Sequence, residues 1–267
     1  MSKKSFAVLG DPIEHSLSPK IHAAAYNHLG LDYSYKAVLV PAGSLSEFIK
    51  TDGAFFTGFS VTMPLKFEAA ELVEDSGLEG TGVCNTLLRD GATFSGYNTD
   101  VFGIQQSVIS ATSESMQDIA ILGSGATARS ALVAALGMKG VQKVTVYARD
   151  LSKAIALKEL LKDEKINFEA KNLSEYSGTQ DLTINTLPAG TANSLVVKAG
   201  QTGWLLNAGY SQGDQAFTAN FDADHVIPGT EMLLWQAVKQ VQIFAGTDLA
   251  GVALDEAALV EVMRQAL

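Results

Sequence analysis

The spacing of apolar and polar positions divides the chain into short apolar runs, amphipathic stretches and glycine-rich turns. Phe6 to Gly10 is a continuous apolar run closed by a glycine, the pattern of a strand buried on both faces. Ser18-Pro19 predicts a helix start, with Ser18 as N-cap, Pro19 at the first helical position and Gly30 as the stop. Tyr33 to Val40 predicts a second strand, Leu45 to Lys50 a short helix, Phe59 to Thr62 a third strand and Lys66 to Glu74 a helix. Val83 to Arg89 and Thr93 to Gly96 predict a hairpin around Asp90-Gly91. Gln105 to Gln117 is polar and Ser-rich, as a passage between domains would be. Beyond it, Ile119 to Leu122 predicts a strand, and an Ala/Leu-rich helix follows a glycine turn and runs to Leu136. Val144 to Tyr147, Leu182 to Asn185 and Trp204 to Asn207 predict further strands, and Glu231 to Ala245 and Glu256 to Gln265 closing helices. This alternation places the chain in the α/β class, with largely parallel strands and helices on both faces.

Composition narrows the range of functions. A chain of 267 residues can build two modest cores, and 47% hydrophobic with 18% charged residues marks it as globular. A formal net charge of -10 argues against a nucleic-acid partner, because phosphate backbones require a basic face. Small anions need only a local positive site and stay open. Cys84 is the single cysteine, so neither an intrachain disulfide nor a Cys-rich zinc site can form, and its apolar setting marks it as a small buried hydrophobe. His15, His22, His28 and His225 lack metal-like spacing with acidic partners, and no metal site is expected. The apolar run after Lys4 ends at Asp11, too short for a secretory segment, and no stretch reaches the roughly 20 apolar residues of a membrane span. A cytoplasmic chain with no membrane partner is the expectation.

The clearest chemical signal is Gly123-x-Gly125-x-x-Ala128, placed between a predicted strand and a predicted helix. It fits the dinucleotide fingerprint: a tight turn, a close backbone approach to pyrophosphate, and a small residue for helix–strand packing. The helix N-terminus would offer free N–H groups and its dipole to the phosphates. At the end of the next strand, Tyr147-Ala148-Arg149-Asp150 with Lys153 beyond sets an arginine fork where an adenosine ribose would lie. Arg149 favours the 2′-phosphate of NADP, while Asp150 keeps NAD open.

A set of motifs in a shared order then resembles the shikimate dehydrogenase family. They are Gly10-Asp11-Pro12-Ile13-Glu14-His15-Ser16-Leu17-Ser18-Pro19, Ser60-Val61-Thr62-Met63-Pro64-Leu65-Lys66, Val83-Cys84-Asn85-Thr86, Tyr97-Asn98-Thr99-Asp100 and Gly229-Thr230-Glu231-Met232-Leu233-Leu234-Trp235-Gln236. The resemblance spans nearly the whole chain. It implies a substrate-binding and catalytic domain over 1–103, completed by helices in 231–267, a Rossmann-type NADP domain over 104–230, and a reaction cleft between them. It also implies reversible NADPH-dependent reduction of 3-dehydroshikimate to shikimate in aromatic amino-acid (chorismate) biosynthesis, by a monomer or homodimer acting on a small-molecule substrate.

By the same resemblance, Lys66 and Asp100 form the catalytic pair. Ser16 and Ser18 hold the carboxylate, Ser60, Thr62, Asn85 and Gln236 line the ring and its hydroxyls, and Tyr210 reaches the carboxylate. Gly123, Ser124, Gly125, Ala126 and Thr127 form the phosphate turn, Arg149 and Lys153 meet the ribose phosphate, and Thr186, Gly229 and Met232 complete the cofactor site. The chain departs from the family pattern at Ser60, where many members carry Asn, and through Asn207 to Gln215. A quinate/shikimate dehydrogenase, a paralogue using NAD or another hydroxy acid, and a non-catalytic NADP-binding sensor are the alternatives.

Overall fold

The computed structural model describes residues 3–74, 77–161, 165–197, 200–209, 213–249 and 254–267. The chain splits into two compact units, one of Met1–Thr99 with Leu234–Leu267 and one of Asp100–Leu233.

The first unit holds β1 (Lys4–Gly10), α1 (Ser18–His28), β2 (Tyr33–Leu39), α2 (Leu45–Lys50), β3 (Gly58–Val61), α3 (Lys66–Ala70), β4 (Thr86–Asp90) and β5 (Thr93–Tyr97). Its sheet runs β2-β1-β3-β4-β5, parallel over the first three strands and antiparallel over the last two pairings. Central β1 is the predicted apolar run, with Phe6, Ala7 and Leu9 wholly buried. Phe6 stacks on Phe244 with ring centroids 4.5 Å apart, so the helix Gly229–Ala245 is packed onto this sheet through Phe244. Burial of such a ring contributes about 2–3 kcal/mol. The hairpin turns at Gly91-Ala92, where Gly91 takes φ +59° and Asp90 pairs with Thr93. Helix α1 stops before Gly30 (φ +65°) as predicted. Its start differs from expectation: Leu17 is the cap residue, without a side-chain bond, and Ser18 is already helical.

The second unit contains β6 (Asp118–Leu122), α5 (Ala126–Leu136), β7 (Lys143–Ala148), α6 (Leu151–Ala156), β8 (Asn167–Asn172), β9 (Leu182–Asn185), β10 (Trp204–Asn207), α7 (Gln215–Thr218) and β11 (Val226–Ile227). The sheet is parallel throughout, in the order β11-β10-β9-β6-β7-β8. Counted from β6, this is the 3-2-1-4-5-6 arrangement of a Rossmann fold, whose switch point lies between β6 and β9. Ile119 to Leu122 are wholly buried, as the centre of a two-faced sheet requires. Ala128, Ala131, Ala134 and Ala135 are also wholly buried, and their small side chains bring α5 close to the strands.

Helices α4 (Thr99–Ala111), α8 (Gly229–Ala245) and α9 (Glu256–Arg264) complete the chain. The predicted passage from Gln105 is a correction: α4 covers it to Ala111, because Val101, Ile104 and Val108 recur at helical spacing and are buried among the residues of the second unit's core. Strand β8 was not predicted, since its polar Asn-Phe-Glu-Ala-Lys-Asn run sits half-exposed at a sheet edge.

Candidate active site

Strand direction gathers the predicted substrate residues of the first unit at one sheet edge. β1 and β3 are parallel, so the loops after Gly10 and Val61 leave from the same edge. β4 enters and β5 leaves there, since Ser60 pairs with Thr86 and Thr86 with Tyr97. Ser16 and Ser18 follow β1, Thr62 and Lys66 follow β3, Asn85 precedes β4 and Thr99 follows β5.

The first two loops are pinned to each other. Asp11 N donates to Met63 O at 3.0 Å and Thr62 N to Leu9 O at 2.9 Å. A Cβ on Gly10 would lie 2.4 Å from Thr62 Cγ2 and 2.8 Å from Met63 O, so only glycine permits this approach. Wholly buried Leu65 donates its N–H to Thr62 O at 2.9 Å and sets half-buried Lys66 as the first residue of α3. Cys84 N donates to Lys66 O at 3.0 Å, and burial pushes the Cys84 thiol up to about 11, leaving it neutral and unreactive.

Half-buried Ser16 accepts from Ser18 N at 3.4 Å, and Ser18 is buried. Asn85 is 2% exposed and its carboxamide is oriented by its partners: Oδ1 accepts from Thr99 N and from Thr86 Oγ1, both at 2.8 Å, while Nδ2 donates to Thr99 Oγ1 at 2.9 Å. Ser60 is buried; it accepts from the Tyr35 hydroxyl at 2.6 Å and donates to Gln240 Oε1 at 2.7 Å. Gln236 Oε1 lies 3.5 Å from the Thr99 hydroxyl. Tyr35, Thr86, Thr99 and Gln240 were not predicted as site residues. The one available signal was the spacing of Gln236 and Gln240, one turn apart on α8.

In the second unit, Asp100 is the second residue of α4 and is buried. Gly123 takes φ +117° at the end of β6, and its N–H donates to Tyr147 O at 2.8 Å. Across the switch point, Thr186 N and Oγ1 both donate to Leu122 O, at 2.9 and 2.7 Å. Gly125 is the cap residue of α5 and offers no side-chain bond; a Cβ there would meet nothing within 4 Å. Helix α5 begins with Ala126 and Thr127 after exposed Gly125 and half-buried Ser124, and the first N–H groups of a helix without a side-chain cap are the donors a pyrophosphate takes.

Arg149 is exposed immediately after β7. Asp150 turns away to cap α6: Oδ1 accepts from Ser152 Oγ at 2.6 Å, Ser152 N at 3.1 Å and Lys153 N at 3.3 Å, and these bonds hold its carboxyl below the usual range. Exposed Lys153 adds a positive charge nearby. These residues fit a dinucleotide carrying a 2′-phosphate. A Cβ on Gly229 would lie 2.6 Å from Asn207 O, so the start of α8 packs on the turn after β10. Met232 is buried within the second unit's core cluster. Tyr210 lies outside the described residues.

Residues 8–87 match the family described as the shikimate dehydrogenase substrate binding domain. The shikimate dehydrogenase (NADP(+)) of Nitrosopumilus maritimus is 31% identical over 271 residues, covering 96% of this chain and 98% of that one. Among solved structures, Mycobacterium tuberculosis shikimate dehydrogenase shares 29% identity at a TM-score of 0.79, covering 99% of this chain and 100% of its own. Thermus thermophilus shikimate 5-dehydrogenase in complex with NADP(H) and shikimate shares 27% at 0.77, with the same coverages of 99% and 100%.

Proposed function

Because the chain belongs to the shikimate dehydrogenase family, we propose that it reduces 3-dehydroshikimate to shikimate with NADPH, reversibly, as a step of aromatic amino-acid biosynthesis. The observation that carries this reading is the single sheet edge bearing Ser16, Ser18, Thr62, Lys66 and Asn85, in a chain whose other unit is a six-stranded parallel Rossmann sheet. NADPH, when bound, supplies the hydride.

The residues have distinct work in that reaction. Ser16 and Ser18 hold the substrate carboxylate by hydroxyl hydrogen bonds, and Thr62, Asn85 and Gln236 hold ring hydroxyls. Reduction of a ketone consumes one hydride and one proton. The Lys66 ammonium stabilises the developing alkoxide and delivers the proton; in the oxidative direction its amine takes that proton back. Asp100 accepts a hydrogen bond from a substrate hydroxyl. The uncapped turn Gly123 to Thr127 cradles the pyrophosphate, Arg149 and Lys153 bind the 2′-phosphate, and Thr186, Gly229 and Met232 shape the remaining cofactor wall. We assign substrate binding to the unit of Met1–Thr99 with Leu234–Leu267, together with Asp100 next to it in sequence, and cofactor binding to the rest of Asp100–Leu233.

A cytoplasmic monomer or homodimer is the working form we propose. Among the described residues no helix is long and apolar enough to cross a membrane. Purified protein incubated with shikimate or quinate, each with NADP or NAD, tests the reading by the absorbance of reduced cofactor. Turnover with shikimate and NADP far above the other combinations is expected. Preference for quinate or NAD reassigns the chain within its family, and silence in all four refutes the activity.

A further inference from the structure

A directed chain of hydrogen bonds crosses the first unit beneath the proposed substrate residues. The Tyr35 hydroxyl donates to Ser60 Oγ at 2.6 Å. Ser60 donates to Gln240 Oε1 at 2.7 Å. Gln240 Nε2 donates to Thr86 Oγ1 at 2.9 Å and to the carbonyl of Asn85 at 3.2 Å. Thr86 Oγ1 donates to Asn85 Oδ1 at 2.8 Å, and Asn85 Nδ2 donates to Thr99 Oγ1 at 2.9 Å.

Two main-chain groups fix the direction of this chain. The Asn85 carbonyl can only accept, so the nitrogen end of Gln240 faces it and its oxygen end faces Ser60. The Thr99 N–H can only donate, so Asn85 presents its oxygen to that side at 2.8 Å. Turning Gln240 over would set its oxygen against the Asn85 carbonyl, and turning Asn85 over would set its nitrogen against the Thr99 N–H. Ser60, Thr86, Thr99, Asn85 and Gln240 are each at least nine-tenths buried, so a lost bond is not replaced by water.

We infer that Gln240 is a positioning residue for substrate recognition: braced by Ser60 and Tyr35 on one side and bonded to Thr86 and the Asn85 carbonyl on the other, it holds the Asn85 carboxamide in place. The inference rests on the proposed function, which places Asn85 against the substrate. It also accounts for Ser60 at its strand position, because a hydroxyl there both accepts from Tyr35 and donates to Gln240.

The test uses Gln240→Leu, Ser60→Ala, their double variant and Tyr35→Phe in the full-length protein, with steady-state kinetics and a direct titration of NADP. The expected result for Gln240→Leu is a KM for shikimate raised about tenfold or more, with kcat down less than about threefold and NADP affinity unchanged. Ser60→Ala and Gln240→Leu cut the same chain, so the double variant is expected to be no worse than Gln240→Leu alone. If Gln240→Leu does not fold, Tyr35→Phe decides, with an expected rise of about threefold in KM. Unchanged KM for shikimate, or additive losses in the double variant, overturn the inference, as does a joint fall of kcat and NADP affinity. Wild-type turnover in the same assay separates this outcome from a failure of the proposed function, which would abolish activity in every protein including the wild type.

Discussion

The side-chain oxygen of Thr186 lies 2.5 Å from where a Cβ on Gly123 would stand, held there by its 2.7 Å hydrogen bond to Leu122 O. Gly123 also takes φ +117°, a conformation that side chains other than hydrogen rarely adopt. Gly123→Ala therefore meets strain and collision together at the switch point. The expected cost is about 1–3 kcal/mol of stability, with NADP affinity reduced about tenfold or more. Thermal unfolding and NADP titration of the variant check this; wild-type affinity would mean that the turn does not set the cofactor site.

Cofactor choice is expected to reside in Arg149 rather than Asp150. The Asp150 carboxylate is committed to Ser152 and Lys153 at the start of α6, whereas the Arg149 side chain is exposed beside it. Losing a charge-assisted hydrogen bond to phosphate costs about 1.5–3 kcal/mol, roughly a 10- to 150-fold effect. Arg149→Ala should raise KM for NADP within that range and leave turnover with NAD at its wild-type level. Equal losses with both cofactors in parallel assays would place the phosphate contact elsewhere.

These cases mark what was legible in the sequence. The Gly123 turn, the strand before it and α5 could be read because local rules govern them: an apolar run, a glycine fingerprint and an alanine-rich helix. The sheet edge carrying Ser16, Thr62, Lys66 and Asn85 was reached through motif order, which does not reveal strand pairing. The bonds among Tyr35, Ser60 and Gln240 were not legible, since they join residues from distant strands and a helix and no periodicity encodes such pairing. Strand β8 escaped for a different reason: a polar edge strand takes its structure from its neighbour rather than from its own apolar pattern.

Lys66 carries the proton-transfer step in the proposed mechanism, and its backbone is placed by buried Leu65 and by the close approach of the two loops at Gly10. Lys66→Ala is therefore expected to fold normally and to keep its NADP affinity. General acid–base groups contribute about 10²–10⁴-fold, and kcat should fall by that order. Near-normal turnover in Lys66→Ala, with the thermal midpoint unchanged, would transfer the proton to another group.

His22 predicts a pH dependence of stability. The ring is wholly buried, stacked on Tyr35 at 4.0 Å, and its Nδ1–H donates to Ser18 O at 2.9 Å. Burial lowers its pKa from 6.5 to about 4, against a smaller opposite effect of the Ser18 bond. The folded protein keeps the ring neutral at a pH where the unfolded chain has already taken up a proton. Stability must then fall as pH drops from about 6.5 towards 4, with His22 responsible for at most about 3 kcal/mol of the loss. Below about 4 both states are protonated and this contribution levels off. His22→Phe retains an aromatic ring beside Tyr35 but cannot titrate. It should be less stable at neutral pH for want of the Ser18 bond, yet lose less stability than the wild type between pH 6.5 and 4. Urea unfolding of both proteins across that range gives the two slopes, and parallel slopes would exclude His22 as the source of the acid sensitivity.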